Sequence, residues 1–234
     1  MFNHKLTRPG AIACVLSVIA TLSANAGQPL ATDNVALVDA KACQLEAWVQ
    51  SFHGGREVWA LPACNPLGGL EITAGGARTM ADDGDRSSLL QLQAKTVLIP
   101  PGDRAWSVGA SAGAQRDTGA PHGRVAFQTY YGKALASFNP SNNVEVDVNL
   151  GLANTYGVGT YALAGAALQY ALFDRLQLLS EIFRDEPGRS KFQLGARYVA
   201  IRNQLEVYLS YGNRIGGEST AWWTIAGIRV QWTP

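Results

Sequence analysis

The chain has little of what most enzyme chemistry needs. Its 234 residues hold only three histidines and three cysteines. Beyond residue 26 it has no run of the ~18 apolar residues that a membrane-crossing helix requires. If the mature chain spans a membrane, it must therefore do so with strands. Charge of one sign is also missing, with 19 basic side chains against 18 acidic, which gives no reason to expect nucleic acid as a partner. His53 and His122, the histidines beyond the leader, fall in predicted loops, and no companion serine and orienting group stands at a recognisable spacing, since Ser51 is near His53 in sequence only. Two isolated histidines and two cysteines give no metal-ligand cluster. The glycines at 75, 76, 109, 113, 132, 151, 165, 195 and 227 lie within predicted strands, and there is no phosphate-binding glycine loop. The expectation is a chain with no catalytic residues, no metal site and no cofactor, hence not an enzyme.

What is present begins with a leader. Lys5 and Arg8 precede an apolar run over residues 11–22, and Ser23-Ala24-Asn25-Ala26 ends in small residues. This is the pattern of a secretory signal peptide over residues 1–26, with cleavage after Ala26 and with Cys14 removed by it. Residues 27–42 then read as a periplasmic N-terminal segment, and residues 43–234 as the folded unit. In an oxidising compartment the two remaining cysteines, Cys43 and Cys64, read as a disulfide.

From Cys43 onward, segments of alternating polarity are separated by Gly, Pro, Asp or Asn clusters. The clearest covers 143–153, where Val144, Val146, Val148, Leu150 and Leu152 alternate with Asn143, Glu145, Asp147, Asn149 and Gly151. The alternation persists over the ~10 residues that a tilted strand needs to cross hydrocarbon. The same period recurs at 88–98, 191–199 and 204–212. Less regular strands are expected at 43–52, 56–64, 69–78, 104–115, 124–136, 160–172, 176–184 and 220–232. In 124–136 and 160–172 both faces carry apolar and aromatic residues, and the period leaves the lipid side open. The fold class is all-β: an antiparallel up-and-down transmembrane β-barrel of about twelve strands, in the outer membrane of a Gram-negative cell. The even count returns both termini to the periplasm, with short turns there and the longer loops outside. A soluble sandwich fits less well, because charges recur along one face of strand after strand.

Those charges would cost about 2–4 kcal/mol each for Arg or Lys at the bilayer midplane, so they must face inward. The expected lumen-lining set is Glu46, Trp48, Trp59, Glu71, Gln93, Lys95, Glu145, Asp147, Glu181, Arg197, Glu206 and Arg229, accompanied by further glutamines such as Gln44 and Gln231. Two readings stay open. Either unpaired carboxylates line an aqueous path for cations or polar solutes, or Lys95, Arg197 and Arg229 interlock with the acids in a plugged structural or surface-interaction barrel. A lipid-modifying enzyme is the third and weaker class. Expected partners are outer-membrane lipid, the barrel-assembly machinery during insertion and a small-molecule solute.

The first hairpin is the most specific local expectation. Pairing Cys43 with Cys64 sets 47 opposite 60 and 49 opposite 58, leaves 52–55 as the turn, and puts Trp48 across from Trp59 on the inner face. Such a pair either fills the lumen or offers an aromatic contact to a hydrophobic or sugar-like solute.

The segment Cys43-Gln44-Leu45-Glu46-Ala47-Trp48, the stretch Leu70-Glu71-Ile72-Thr73-Ala74-Gly75, the run Gln91-Leu92-Gln93-Ala94-Lys95 and the later Gln193-Leu194-Gly195-Ala196-Arg197-Tyr198 resemble the family of small outer-membrane barrels described as transporters of a phenol meta-cleavage pathway. The resemblance covers nearly all of the chain beyond the leader. It implies passage of aromatic or other hydrophobic compounds, and it would single out Glu46, Glu71 and Lys95.

Overall fold

A computed structural model describes residues 30–101, 105–119 and 126–233. The expected signal peptide and His122 lie outside these residues. Twelve strands follow one another in the order β1 (Cys43–Phe52), β2 (Gly55–Cys64), β3 (Leu70–Ala81), β4 (Arg86–Ile99), β5 (Trp106–Asp117), β6 (Thr129–Ser141), β7 (Val144–Thr155), β8 (Gly159–Phe173), β9 (Leu176–Arg184), β10 (Lys191–Ile201), β11 (Leu205–Arg214) and β12 (Trp223–Trp232). Each pairs antiparallel with its chain neighbours, and β1 pairs with β12, so the sheet closes on itself and leaves no edge. The fold is a closed antiparallel up-and-down barrel of twelve strands.

Period-2 alternation explains both surfaces. On β7, Glu145, Asp147 and Asn149 are buried while Val148, Leu150 and Leu152 are exposed. The exposed residues make an apolar belt around the barrel, with Leu92, Ile182, Leu194 and Leu209 among them. At the rim that holds Cys43 and Cys64, Trp106, Phe138, Tyr170, Phe173, Tyr198 and Trp232 are all exposed. An apolar band ending in an aromatic girdle is the outer surface that a bilayer selects. The two strands left open by their mixed faces resolve in the same way. β6 turns Tyr131, Lys133, Leu135 and Ser137 inward, and β8 turns Tyr161, Leu163, Gly165, Ala167 and Gln169 inward.

The first hairpin has the expected register, with Cys43 opposite Cys64, Trp48 opposite Trp59 and Val49 opposite Val58. Cys43 and Cys64 are disulfide-bonded. Gly54 takes φ 91° in the turn, a left-handed conformation that its missing Cβ permits. β6 departs from expectation, covering Thr129–Ser141 where the sequence pointed to 124–136. Asn139, Pro140 and Ser141 are residue types that commonly end a strand. Instead the chain carries them in a bulge between Phe138 and Ser141, which is where a strand tolerates proline, and the turn shrinks to Asn142-Asn143.

The second departure concerns 27–42, which the sequence placed outside the barrel in the periplasm. Residues 30–38 instead run inside it as an irregular strap, with Leu30, Thr32, Asn34, Val35 and Val38 buried, and the exposed residues 39–41 lead to the buried Ala42 and the start of β1. The strap carries no strand, so its backbone polar groups find no ladder partners, and lumen side chains take that role.

Candidate functional site

All twelve residues expected to line the lumen face the barrel interior, and the fold sorts them into three groups. The first group holds the strap. Glu181 on β9 accepts the backbone N–H groups of Ala31 and Thr32 at 2.8 and 2.9 Å. Asn149 on β7 accepts from the Asp33 N–H at 2.8 Å and donates back to the Asp33 carbonyl at 2.7 Å. Ser137 on β6 accepts from the Val35 N–H at 3.0 Å, and Glu71 on β3 accepts from the Val38 N–H at 2.7 Å. Asn34 donates its side-chain amide to Glu145 at 3.0 Å. Lys133 pairs with the Asp33 carboxylate, and Lys95 with Glu71 at 3.4 Å. Asp147, fully buried, accepts from Ser137 at 2.6 Å and from Gln169 at 2.8 Å. Leu30 packs on Ala167 and Leu179. Burial pushes the Asp33 carboxyl up, but Lys133 and Lys95 more than offset this and hold it below its ordinary value. The strap therefore crosses the lumen from the β3 side to β9, held at each step by a polar side chain.

An uncompensated acidic strip was one of the two expected lumens, and the structure replaces it. Glu71, Glu145 and Glu181 are acceptors for the strap, and Asp147 is satisfied by Ser137 and Gln169. The second group is an arginine cluster. Glu206 on β11 takes Arg229 through both oxygens, at 3.0 Å from Nε and 2.5 Å from a terminal nitrogen, while Arg197 Nε stands 3.5 Å away. Arg197 also donates to Gln169 and Gln177, both at 3.2 Å, and Arg229 donates to Gln44 at 3.4 Å. Glu46 sits beside this cluster on β1, paired in register with Arg229.

The third group lines an empty space above the strap. A cavity of about 560 Å³ has Leu30, Ala31, Thr32 and Asp33 as its floor and reaches Glu57, Glu186 and Lys191 near the opposite rim. Its walls differ. The arc from β9 through β12 to β2 presents Phe183, Trp223, Trp48 and Trp59, with the Trp48 and Trp59 rings stacked at 5.1 Å between centroids. The arc β4–β6 presents Gln91, Gln93, Gln115, Tyr131 and Lys133. Gln115 donates to Gln91 at 3.0 Å, and the Tyr131 hydroxyl donates to Gln93 at 2.7 Å. Lys191 lies over the Phe183 and Trp223 rings at 5.7 and 6.0 Å.

Sequence reasoning missed Asp33, Lys133, Tyr131, Lys191 and Trp223 as lumen residues. For Lys133 and Tyr131 the missing signal was the lipid face of β6, and for Asp33 no periodicity exists to read. His53 is exposed in the β1–β2 turn. Among the described residues no group of His, Cys, Asp and Glu is placed to hold a metal ion.

The fold is shared with solved porins. The KdgM porin, solved alone and in complex with disordered oligogalacturonate, superposes with a TM-score of 0.62 at 10% identity, over 80% of this chain and 98% of that one. The NanC porin gives 0.58 at 8% identity, over 82% of this chain and 100% of that one. At such identities the likeness is one of architecture alone. No curated protein matches the chain in sequence. A family model does match it, across residues 14–232, and on that coverage the chain belongs to the family described as Uncharacterised conserved protein UCP029691.

Proposed function

We propose that this protein is an outer-membrane channel for small solutes that is held shut on its periplasmic side by its own N-terminal strap. The observation that carries the reading is the strap itself, bound through backbone N–H groups by Glu181, Asn149, Ser137 and Glu71 beneath a cavity that extends to the other rim. Polar side chains on four different strands hold a segment that lacks secondary structure of its own. Such a segment can withdraw without breaking the sheet, whereas a filled hydrophobic core could not. The apolar belt and aromatic girdle support placement in an outer membrane, with lipid around the barrel and insertion by the barrel-assembly machinery. The sequence resemblance implies aromatic or other hydrophobic solutes, while the wall of Trp48, Trp59 and Trp223 supports the coarser property of a solute with an apolar ring face, which sugars share. The interlocked cluster of Arg197, Glu206 and Arg229 favours a second reading, a permanently plugged structural barrel.

Ion conductance in planar bilayers separates the two. Wild type should give rare or small steps, and Glu181→Ala with Asn149→Ala should raise open probability at least several-fold. A Cβ built on Gly165 would lie 3.3 Å from Thr32 Cβ, close to the ~3.8 Å of a disulfide, so Thr32→Cys with Gly165→Cys offers an oxidisable lock. The oxidised lock should be silent, and its reduction should open the barrel at least as often as wild type, because two thiols then crowd a place that only glycine fits. A well-inserted, strap-weakened barrel that never conducts would move the assignment to the plugged barrel.

A further inference from the structure

The cavity above the strap has two unlike faces, and their chemistry restricts what can sit between them. One face is aromatic: Trp59 and Trp48 lie parallel within 5°, and the Trp223 ring edge meets Phe183 at 6.2 Å between centroids. The facing arc is made of side-chain amides and a phenol, among them Gln91, Gln115, Gln93 and Tyr131. Amide and phenol groups both donate and accept, so they suit a ligand edge that does the same.

Charge narrows the class. An anionic ligand would need a cation free to meet it, yet the three lysines of the lining are already paired: Lys95 with Glu71, Lys133 with Asp33, and Lys191 with Asp185 and Glu186 at 2.9 and 3.0 Å. Arg184, the other cation of the lining, is exposed at the end of β9, and the lining as a whole sets six carboxylates against four cations, a balance that disfavours an anion. Glu57, the acid nearest the aromatic face, accepts from Trp59 Nε1 at 2.9 Å and from Thr79 at 3.2 Å. A ligand with one apolar ring face and several hydroxyls fits both walls, whereas a simple phenol has one hydroxyl for a polar arc that covers three strands. The volume of about 560 Å³ falls in the ~300–1,000 Å³ range of small-molecule sites.

We infer that the vestibule binds a neutral, polyhydroxylated ring compound, a mono- or disaccharide in chemistry, with its apolar face stacked on Trp59 and its hydroxyls on the Gln91–Gln115 and Gln93–Tyr131 pairs. This rests on the reading of the barrel as a solute passage and names the solute class for it. It also sets the protein apart from a carrier of polyanions, because the vestibule offers no surplus of cations to a chain of carboxylates.

The test is calorimetric titration of the refolded barrel in a sugar-free polyoxyethylene detergent with maltose, cellobiose and lactose, beside digalacturonate and phenol. At least one neutral disaccharide should bind saturably. Trp59→Ala should weaken it about tenfold, as loss of a ring stack predicts. Gln115→Leu, a mild change on the opposite wall, should weaken it several-fold while leaving heat-modifiable gel mobility intact. No heat with any of the three disaccharides, tighter binding of digalacturonate, or saturable phenol binding alone would each overturn the inference. Conductance in the strap-weakened barrel without disaccharide binding would leave the channel standing and remove this solute class. Disaccharide binding in a barrel that never conducts would do the reverse.

Discussion

Glu206 shows how a single lumen side chain can decide stability. It receives two guanidinium groups, from Arg229 and Arg197, and both arginines are nearly inaccessible to solvent. Removing one member of a buried ionic cluster leaves charge uncompensated, which typically costs about 3 kcal/mol or more. Glu206→Ala should therefore lower stability by about 3 kcal/mol in urea titrations of the lipid-inserted barrel. Replacing Glu206 and Arg229 together by Met should cost less than Glu206→Ala alone. A loss below about 1 kcal/mol for the single variant would mean that water screens the cluster as it screens a surface pair.

The Asp33–Lys133 pair carries a pH prediction with a defined sign. Burial raises the Asp33 pKa, and Lys133 and Lys95 more than reverse this, so in the folded barrel it lies below the ordinary 3.8. A group with a depressed folded pKa contributes stability that is fully present above its ordinary value and is lost as pH falls through the folded one. Lys133, Lys95 and the nearby Tyr131 phenol are the titratable groups facing it. A double-mutant cycle of Asp33→Asn and Lys133→Met should give a coupling of about 1.5–3 kcal/mol at pH 7, as expected for charged hydrogen bonds. The coupling should hold at pH 5 and be lost only below 3.8. Loss already at pH 5 would contradict the lowered pKa.

At the scale of elements, the strap and the strands obey different rules. The β-strands were legible because a bilayer outside and a polar lumen inside force period-2 alternation, and β7 shows it from Val144 to Leu152. β8 was not legible in the same way, and the strap explains why. Its inward residue Ala167 is apolar because Leu30 packs on it, and its inward Gly165 lacks a side chain where Thr32 passes. A Cβ at Gly165 would fall inside van der Waals contact with Thr32 Oγ1. Gly165→Val should therefore displace the strap's outer end. Raised open probability in bilayers, with faster proteolysis near Thr32, would be the readout. A silent, protease-resistant Gly165→Val barrel would mean that the lumen has room to spare there.

For the molecule as a whole, closure of β1 on β12 creates an interior that belongs to no single strand. Glu181 on β9 and Glu71 on β3 come to hold one segment only because the sheet has curled into a tube. The aromatic face likewise unites Phe183, Trp223 and Trp48 from β9, β12 and β1. The sequence by itself determined the strand number, the first hairpin's register, the disulfide pairing and the inward direction of twelve lumen residues. The strands, their register and the inward residues follow from local alternation and the cost of placing charge in hydrocarbon, and the disulfide from an even pair of cysteines in an oxidising compartment. Only the tertiary structure decided where the strap lies, which carboxylates it occupies and where the lumen stays empty, because those depend on contacts between residues on different elements, from Val38 with Glu71 to Asp33 with Asn149, for which periodicity carries no signal.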